Sequence, residues 1–556
     1  MPPLSPSPVD GAAFGTVRQA GPQAGPHDGP HDGVAAIPHP ETDQGPRQSP
    51  DQGPLVPDPR KRLIVFCFLM LTLFMATLDN QIVSTALPTI VGEFGAIERF
   101  GWVGSAYLLA TSAMMPIYGK LGDLFGRKYV MLAAVSLFLV GSLACGFAWS
   151  MDSLIAARVL QGLGGGGIMV SIFSVNADLF EPRQRAKYQS FSSLMLMASG
   201  SIGPTLGGFL SDAFGWRSIF LVNLPIGAIA LAGLIIMLPY RRPQRTPKID
   251  YWGALTLALT IASLVLWADS GQIFGGLLSP AALGVLAFGC VTAVIWVQIE
   301  RRAPEPIVPL HLFRKPVIPL LLIVAITSGA TGIGLVNYIA LYLQTTTGLS
   351  PSRAGLFFIA LTGGIVIGSM SAGRLIAASG HFKRYLITGQ CIAMAMLVGI
   401  SQTHAGTPLL LIAVLMLLQG FGIGLGQQAP VIGVQNAAPK QDVGAATGAV
   451  TLTRMGGAAI AISIYGAILS QGLSAQLTAI PGVANVAELT PKMLAALPPE
   501  TQHQIGTLYS QAFTPLYLTG AALLLIGLLA AIFMKPAPLP VARVQEVSAS
   551  LAQKAA

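Results

Sequence analysis

Fourteen apolar runs, most close to the roughly 20 residues that cross a bilayer core as a helix, are threaded along this chain. They fall at roughly 63–90, 101–119, 129–149, 153–177, 188–211, 217–239, 250–270, 279–299, 317–343, 353–378, 385–401, 407–433, 443–470 and 514–534. Runs this continuous lack the alternation of a membrane barrel strand, and only helices satisfy their own backbone polar groups inside hydrocarbon. The sequence therefore predicts an all-α membrane protein with fourteen transmembrane helices. Composition agrees, since only 10% of residues are charged, against about 25% in an average soluble domain.

Loop charges test the helix count. With the amino terminus cytoplasmic, Arg60, Lys61 and Arg62 stand at the entrance to the first helix. The inner loops then carry Lys120, Arg127 and Lys128; Arg183, Arg185 and Lys187; Arg241, Arg242, Arg245 and Lys248; Arg301, Arg302, Arg314 and Lys315; Arg374, Lys383 and Arg384; and Lys440. The outer loops hold only Arg99, Arg217, Arg353 and Lys492. This bias is the positive-inside pattern, and dropping one helix would destroy it, so both termini are expected in the cytoplasm. The net charge of +9 is spread between apolar runs rather than gathered on one face, which argues against nucleic acid as a partner.

The chain also repeats itself. GKLGDLFGRK at 119–128 has a weaker echo in GRLIAASGHFKR at 373–384, and LQGLGGGG at 160–167 is echoed by LQGFGIGLG at 418–426, with offsets of 254 and 258 residues. Duplicated helix bundles around a central site are how many secondary transporters are built. The expected organisation is a disordered cytoplasmic tail at 1–59, a six-helix bundle at 60–240, two inserted helices at 249–300, a second six-helix bundle at 316–535 and a cytoplasmic tail at 536–556. The segment 471–513 reads as a long outer loop within the second bundle.

Little in the sequence supports enzymatic chemistry. Cys67, Cys145, Cys290 and Cys391 are isolated within apolar spans and read as packing residues. The seven histidines lie in the amino-terminal tail, in loops or near span ends, so no metal site is expected. The GxGxxG at Gly162, Gly164 and Gly167 lies inside a span, where close helix approach is its expected use rather than dinucleotide binding. No Walker motif is present for direct ATP drive.

The exceptional residues are charges inside the spans. Asp79, in LMLTLFMATLDNQIVSTALP, lies about 17 residues past Arg62, or roughly 25 Å along a helix. An intramembrane ionisable group is a functional candidate by default, because desolvation raises a carboxylate pKa and a nearby cation lowers it. Arg158 lies roughly 9 Å inside the outer end of the fourth helix, and Met416 occupies its place in the second repeat. Arg454 is a third intramembrane charge, for which a structural tie to backbone carbonyls and a coupling role are both open. Asp178 and Asp269 stand near span ends and are expected to be solvated.

Five stretches together resemble the major facilitator superfamily, specifically its fourteen-helix branch of drug:proton antiporters, over about residues 60 to 535. GKLGDLFGRK is similar to the family's loop between helices two and three, with Gly119, Asp123, Gly126, Arg127 and Lys128 in register. LIAARVLQGLGGGG resembles the fourth-helix motif through Arg158, Gln161 and Gly162. SGSIGPTLGG is similar to the fifth-helix antiporter motif through Gly203, Pro204, Gly207 and Gly208, with Ser199 at the leading glycine position. LDNQIVSTALPTI is similar to the first-helix motif, with Asn80 and Gln81 after the aspartate, and WRSIFLVNLPIG at 216–227 also fits the branch.

The resemblance implies a proton-coupled antiporter that exports small amphipathic organic molecules, cationic ones among them, by alternating access. It implies no cofactor beyond a proton gradient, lipid as surroundings, a monomer, and residence in the inner membrane. It would bring Asp79 and Arg158 to one space, with Arg454 as a third coupling candidate. Asp123 and Arg127 would form an inner latch, complete only in the first repeat because Ala377 replaces the aspartate in the second. Asn80, Gln161, Asn337 and Gln344 are candidate substrate contacts. An exporter of lipids or lipoconjugates is the alternative within transporters, suggested by the 471–513 segment.

Overall fold

The computed structural model describes residues 55–94, 100–241, 248–268, 270, 274–349, 351–477, 499–535 and 539, and their regular elements are all helical. The first eight helices are α1 (Pro59–Phe94), α2 (Phe100–Phe125), α3 (Arg127–Gly146), α4 (Met151–Leu179), α5 (Pro182–Gln189), α6 (Phe191–Phe214), α7 (Ser218–Leu221) and α8 (Asn223–Met237). Next come α9 (Tyr251–Ala268) and α10 (Pro280–Glu300). The remainder are α11 (Val317–Gly329), α12 (Val336–Thr345), α13 (Pro351–Ser379), α14 (Phe382–Ser401), α15 (Leu409–Gln427), α16 (Ala429–Ala437), α17 (Val443–Leu477) and α18 (Pro499–Phe533). A π-helical turn, Ala330–Gly334, interrupts the run that the sequence showed as one span between α11 and α12.

Twelve described segments are long and apolar enough to cross a membrane; a bent pair, Pro182–Gly200 with Thr205–Phe214, makes thirteen if it counts as one span. Its 44° bend falls where Pro204 removes a backbone donor from the ladder. The run at 101–119 folds as α2, whose 26 residues amount to roughly 39 Å of helix. It is less apolar than the others because its Gly, Ser, Thr and Tyr residues pack against α4 and α17 rather than lipid.

The segment 471–513 is only partly a loop. Residues 471–477 complete α17 and residues 499–513 open α18, both helices running past their apolar stretches; the rest of the segment, 478–498, and the tail residues 1–54 lie outside the described residues.

Between apolar helices in lipid there is no hydrophobic drive, so close contact rests on van der Waals packing and small residues. The glycine run of α4 serves this purpose. A methyl group on Gly162 or Gly166 would strike the α2 backbone at Tyr107 or Thr111, and one on Gly164 the α3 backbone at Phe138.

Contacts between the repeats gather at the end that carries the Arg- and Lys-rich loops. Gly119 of α2 packs directly on the Gly444 backbone of α17, and Gly448 on Met115 and Pro116. Ser193 Oγ donates to Ser369 Oγ at 2.9 Å, and Arg185 to Gln435 Oε1 at 3.3 Å. The inserted helices lie across this seam: Leu257, Ile261 and Val265 of α9 share one apolar cluster with Ala113 of α2 and Ala449 and Leu452 of α17.

Candidate functional site

Between its charged ends helix α1 is apolar except for a few polar side chains, and the most constrained of these is Asp79, which has no exposed surface. A bare carboxylate there would carry a large desolvation penalty, and two helices supply what offsets it. From α4, Arg158 Nη1 donates to Asp79 Oδ2 at 2.7 Å. One turn further along α4, Gln161 Nε2 donates to Asp79 Oδ1 at 2.8 Å. From α8, Asn223 Nδ2 reaches the same oxygen at 2.7 Å.

The network closes on itself. Ser142 Oγ of α3 accepts from Gln161 at 2.6 Å and from Asn223 at 2.9 Å, while Gln161 Oε1 accepts from Arg158 Nη1 at 2.6 Å. Arg158 Nε donates to the Val103 carbonyl of α2 at 3.2 Å, and its guanidinium lies 4.3 Å from the Tyr107 ring centre, a cation–π contact. Arg158, Gln161, Asn223 and Ser142 are all fully buried. Arg158 Nη2 and Asn223 Oδ1 have no partner among the described residues, so one donor and one acceptor are held in reserve around a charged pair.

Asp79 and Arg158, 79 residues apart, are thus brought into contact. Gln161, expected among substrate contacts, sits inside this cluster with no exposed surface. Asn80 is exposed and Gln344 half-buried; the side chain of Asn337 lies outside the described residues. Arg454 is not brought to Asp79. It lies buried in α17, where its backbone presses on Gly329 of α11, and it has no carboxylate partner among the described residues. Asn223, Ser142 and Tyr107 escaped the sequence reading. An amide inside the apolar LVNLPIG was the available signal for the first of them.

The fifth-helix residues lie along α6 against α1. Gly203 leaves room for the Gln81 side chain, and Gly207 is buried while Gly208 has open space around it. The side chain of Pro204 lies outside the described residues. Ser199, at the position of the leading glycine, lies 2.7 Å from Thr77 Oγ1.

At the other end of α2, Asp123 reaches across the seam. Its two oxygens accept from the Gly444 and Ala445 N–H groups, each at 3.0 Å. These are unsatisfied donors at the start of α17, where the helix dipole also favours an anion. Arg127 spans Asp123 at 3.4 Å and Asp178 at 2.7 Å and donates to the Ser174 carbonyl. Asp178 is therefore an ion-pair partner rather than a merely solvated acid, because α4 ends beside the 119–128 loop. Gly126 holds φ of 92° between α2 and α3, a conformation that favours glycine. Lys128 donates to the Ile235 carbonyl of α8 at 2.7 Å. Asp269 lies outside the described residues.

The opposite end is tied by Glu93, beyond the apolar part of α1. Arg217 donates to it at 2.8 Å and Trp216 Nε1 at 2.6 Å, and these two bonds hold its carboxyl below the usual carboxylate range.

A helical bundle built on two repeats, with a buried acid–arginine pair in the first and a seam of glycines between them, describes a membrane transporter. Residues 69–462 match the family model of the Major Facilitator Superfamily, and the chain belongs to that family. It is 32% identical over 400 residues to Multidrug resistance protein 3 of Bacillus subtilis, covering 72% of this chain and 78% of the relative. It is 28% identical to Multidrug transporter protein MdtP of the same organism, over 86% of this chain and 93% of the relative. The fold matches the crystal structure of the human organic anion transporter MFSD10 (TETRAN) with a TM-score of 0.56 at 15% identity, covering 84% of this chain and all of that one. The chain is a multi-pass membrane protein of a transporter family.

Proposed function

We propose that this protein is a proton-coupled antiporter that exports amphipathic organic molecules, cationic ones among them, across the inner membrane. In this reading fourteen helices span the bilayer, counting α2 and the bent α5–α6 pair, and both termini are cytoplasmic. The observation that carries the proposal is Asp79 in mid-membrane, fully buried and held by Arg158, Gln161 and Asn223.

Protonation of Asp79 from outside removes one charge from the pair. Arg158 then loses its counter-charge and turns to the carbonyl, amide and ring already around it. A cationic substrate loses its attraction to the site in the same step. Release of the proton inside restores the pair. Each inward proton contributes about 2.3 kcal/mol per 100 mV. In this reading the Asp123 latch on α17 and the glycine seam hold the cytoplasmic side closed between cycles.

Purified Asp79→Asn in loaded proteoliposomes is the test. It should still bind uncharged substrate, hold cationic substrate more weakly, and lose efflux driven by a proton gradient; full gradient-driven efflux by this variant would defeat the proposal.

Lipid export is the second reading. It draws on an apolar groove of about 380 Å³ between the inserted pair and α2, lined by Leu109, Leu259, Leu266, Val285 and Phe288 among others. A reconstituted lipid-transfer assay separates the two readings.

A further inference from the structure

The inserted helix pair carries a charged cluster with no part in the site described above. Asp250 stands immediately before α9, and Glu300 closes α10. Each carboxylate spends one oxygen on a backbone N–H: Asp250 Oδ1 accepts from Gly253 at 2.8 Å, and Glu300 Oε1 accepts from Val308. The other two oxygens, Asp250 Oδ2 and Glu300 Oε2, are buried with no hydrogen-bond partner among the described residues. They occupy one space. A methyl group on Gly253 would overlap Asp250 Oδ2 and stand 3.0 Å from Glu300 Oε2, so both oxygens border the small space that glycine leaves open at this position. Glu300 is only 3% exposed, and although Asp250 as a whole is half-buried its Oδ2 is covered, so solvent does little to screen these two oxygens.

Two carboxylates in one buried space resist joint ionisation, and a single proton between them replaces repulsion with a short O–H···O bond. From this geometry we propose that Asp250 and Glu300 form a second proton-binding site, with one proton shared between Oδ2 and Oε2.

The other charges facing the pair are few. Lys120 of α2 is within electrostatic range of Glu300, but it is buried and engaged by Glu305 at 2.7 Å. Lys248, Arg301 and Arg302 are exposed. With Lys120 taken, no further buried cation among the described residues balances two ionised acids. The site also lies beside the seam, because Lys120 follows Gly119, which packs on Gly444. Losing the shared proton would set a second negative charge competing with Glu305 for Lys120, next to the contact that closes the cytoplasmic end. The proposal does not depend on Asp79 carrying the transported proton.

Infrared difference titration of the full chain in lipid nanodiscs tests it, with Asp79→Asn and Asp123→Asn as the background so that neither the helix-one acid nor the buried acid at the end of α2 contributes. That background should show a protonated-carboxyl C=O band that disappears as pH rises through the neutral range. Adding Glu300→Gln should abolish the band. Adding Asp250→Asn, which keeps the backbone bond but removes the neighbouring charge, should weaken proton affinity roughly tenfold, moving the midpoint about one pH unit lower. If Glu300→Gln does not fold, the shift in Asp250→Asn decides alone. A band indifferent to both substitutions, or none titrating in this range, would overturn the proposal.

Discussion

Asn223 Nδ2 and Asp79 Oδ1 are 2.7 Å apart, so an uncharged amide from α8 shares the carboxylate that Arg158 neutralises from α4. Asn223 keeps its grip whether Arg158 stays or turns away, because it binds the oxygen that Arg158 does not. A hydrogen bond to a charged group contributes about 1.5–3 kcal/mol. Asn223→Ala should therefore lower the thermal unfolding midpoint in detergent and slow gradient-driven efflux. An unchanged midpoint would show that the amide contributes nothing to holding the acid.

The repeat suggests a more searching experiment at Arg158, whose counterpart is Met416. Arg158→Met strands Asp79 as an uncompensated buried charge, which costs about 3–5 kcal/mol. Adding Asp79→Asn should recover most of that loss, since the pair then vanishes together. A double-mutant cycle on unfolding midpoints reads this directly, and gradient-driven efflux should be absent from all three variants. Additive losses would mean that the two residues do not act as a pair.

At the seam, the glycine contact leaves no flexible side chain to yield. Overpacking a close contact costs about 1–3 kcal/mol, which changes the ratio of closed to parted forms roughly five- to 150-fold. With Gly119→Val, a cysteine placed at the buried Ala446 should react faster with an impermeant maleimide added from the side of the 119–128 loop. Equal rates in the two backgrounds would remove Gly119 from the closing contact.

Glu93 sets an acid limb on stability. Its folded-state pKa is depressed by Arg217 and Trp216, so its contribution is in place above the ordinary carboxylate range and drains away as pH falls through the lowered value. The Glu93 and Arg217 side chains are 46% and 39% exposed, and solvent screening keeps the effect small. Wild type and Glu93→Gln should differ slightly at neutral pH and converge in acid. Unfolding midpoints across pH check this, and a gap that widens in acid would contradict it.

The sequence made some of this legible and hid the rest for physical reasons. Asp79 and Arg158 stood out because charges in apolar spans are rare and costly. Ser142 and Asn223 did not, because uncharged polar residues are common in membrane helices and only tertiary contact shows what they hold. Asp178 read as solvated because it ends a helix, yet the tight turn at Gly126 between α2 and α3 sets Arg127 against it. Hydropathy marked the apolar stretches but not where helices stop, so residues 471–477 and 499–513 read as loop although they are helical. The pairing of Lys120 with Glu305, 185 residues away, left no local trace.

The inserted helices give the molecule a handedness that its repeats alone would not. Because α9 rests on both α2 and α17 at one flank of the seam, and Glu305 pins that flank to α2, the two repeats are braced unevenly around the end that carries the Arg- and Lys-rich loops. Any parting of α2 from α17 there would start on the flank that the inserted pair leaves unbraced, and the Lys120–Glu305 ion pair would keep that pair with α2.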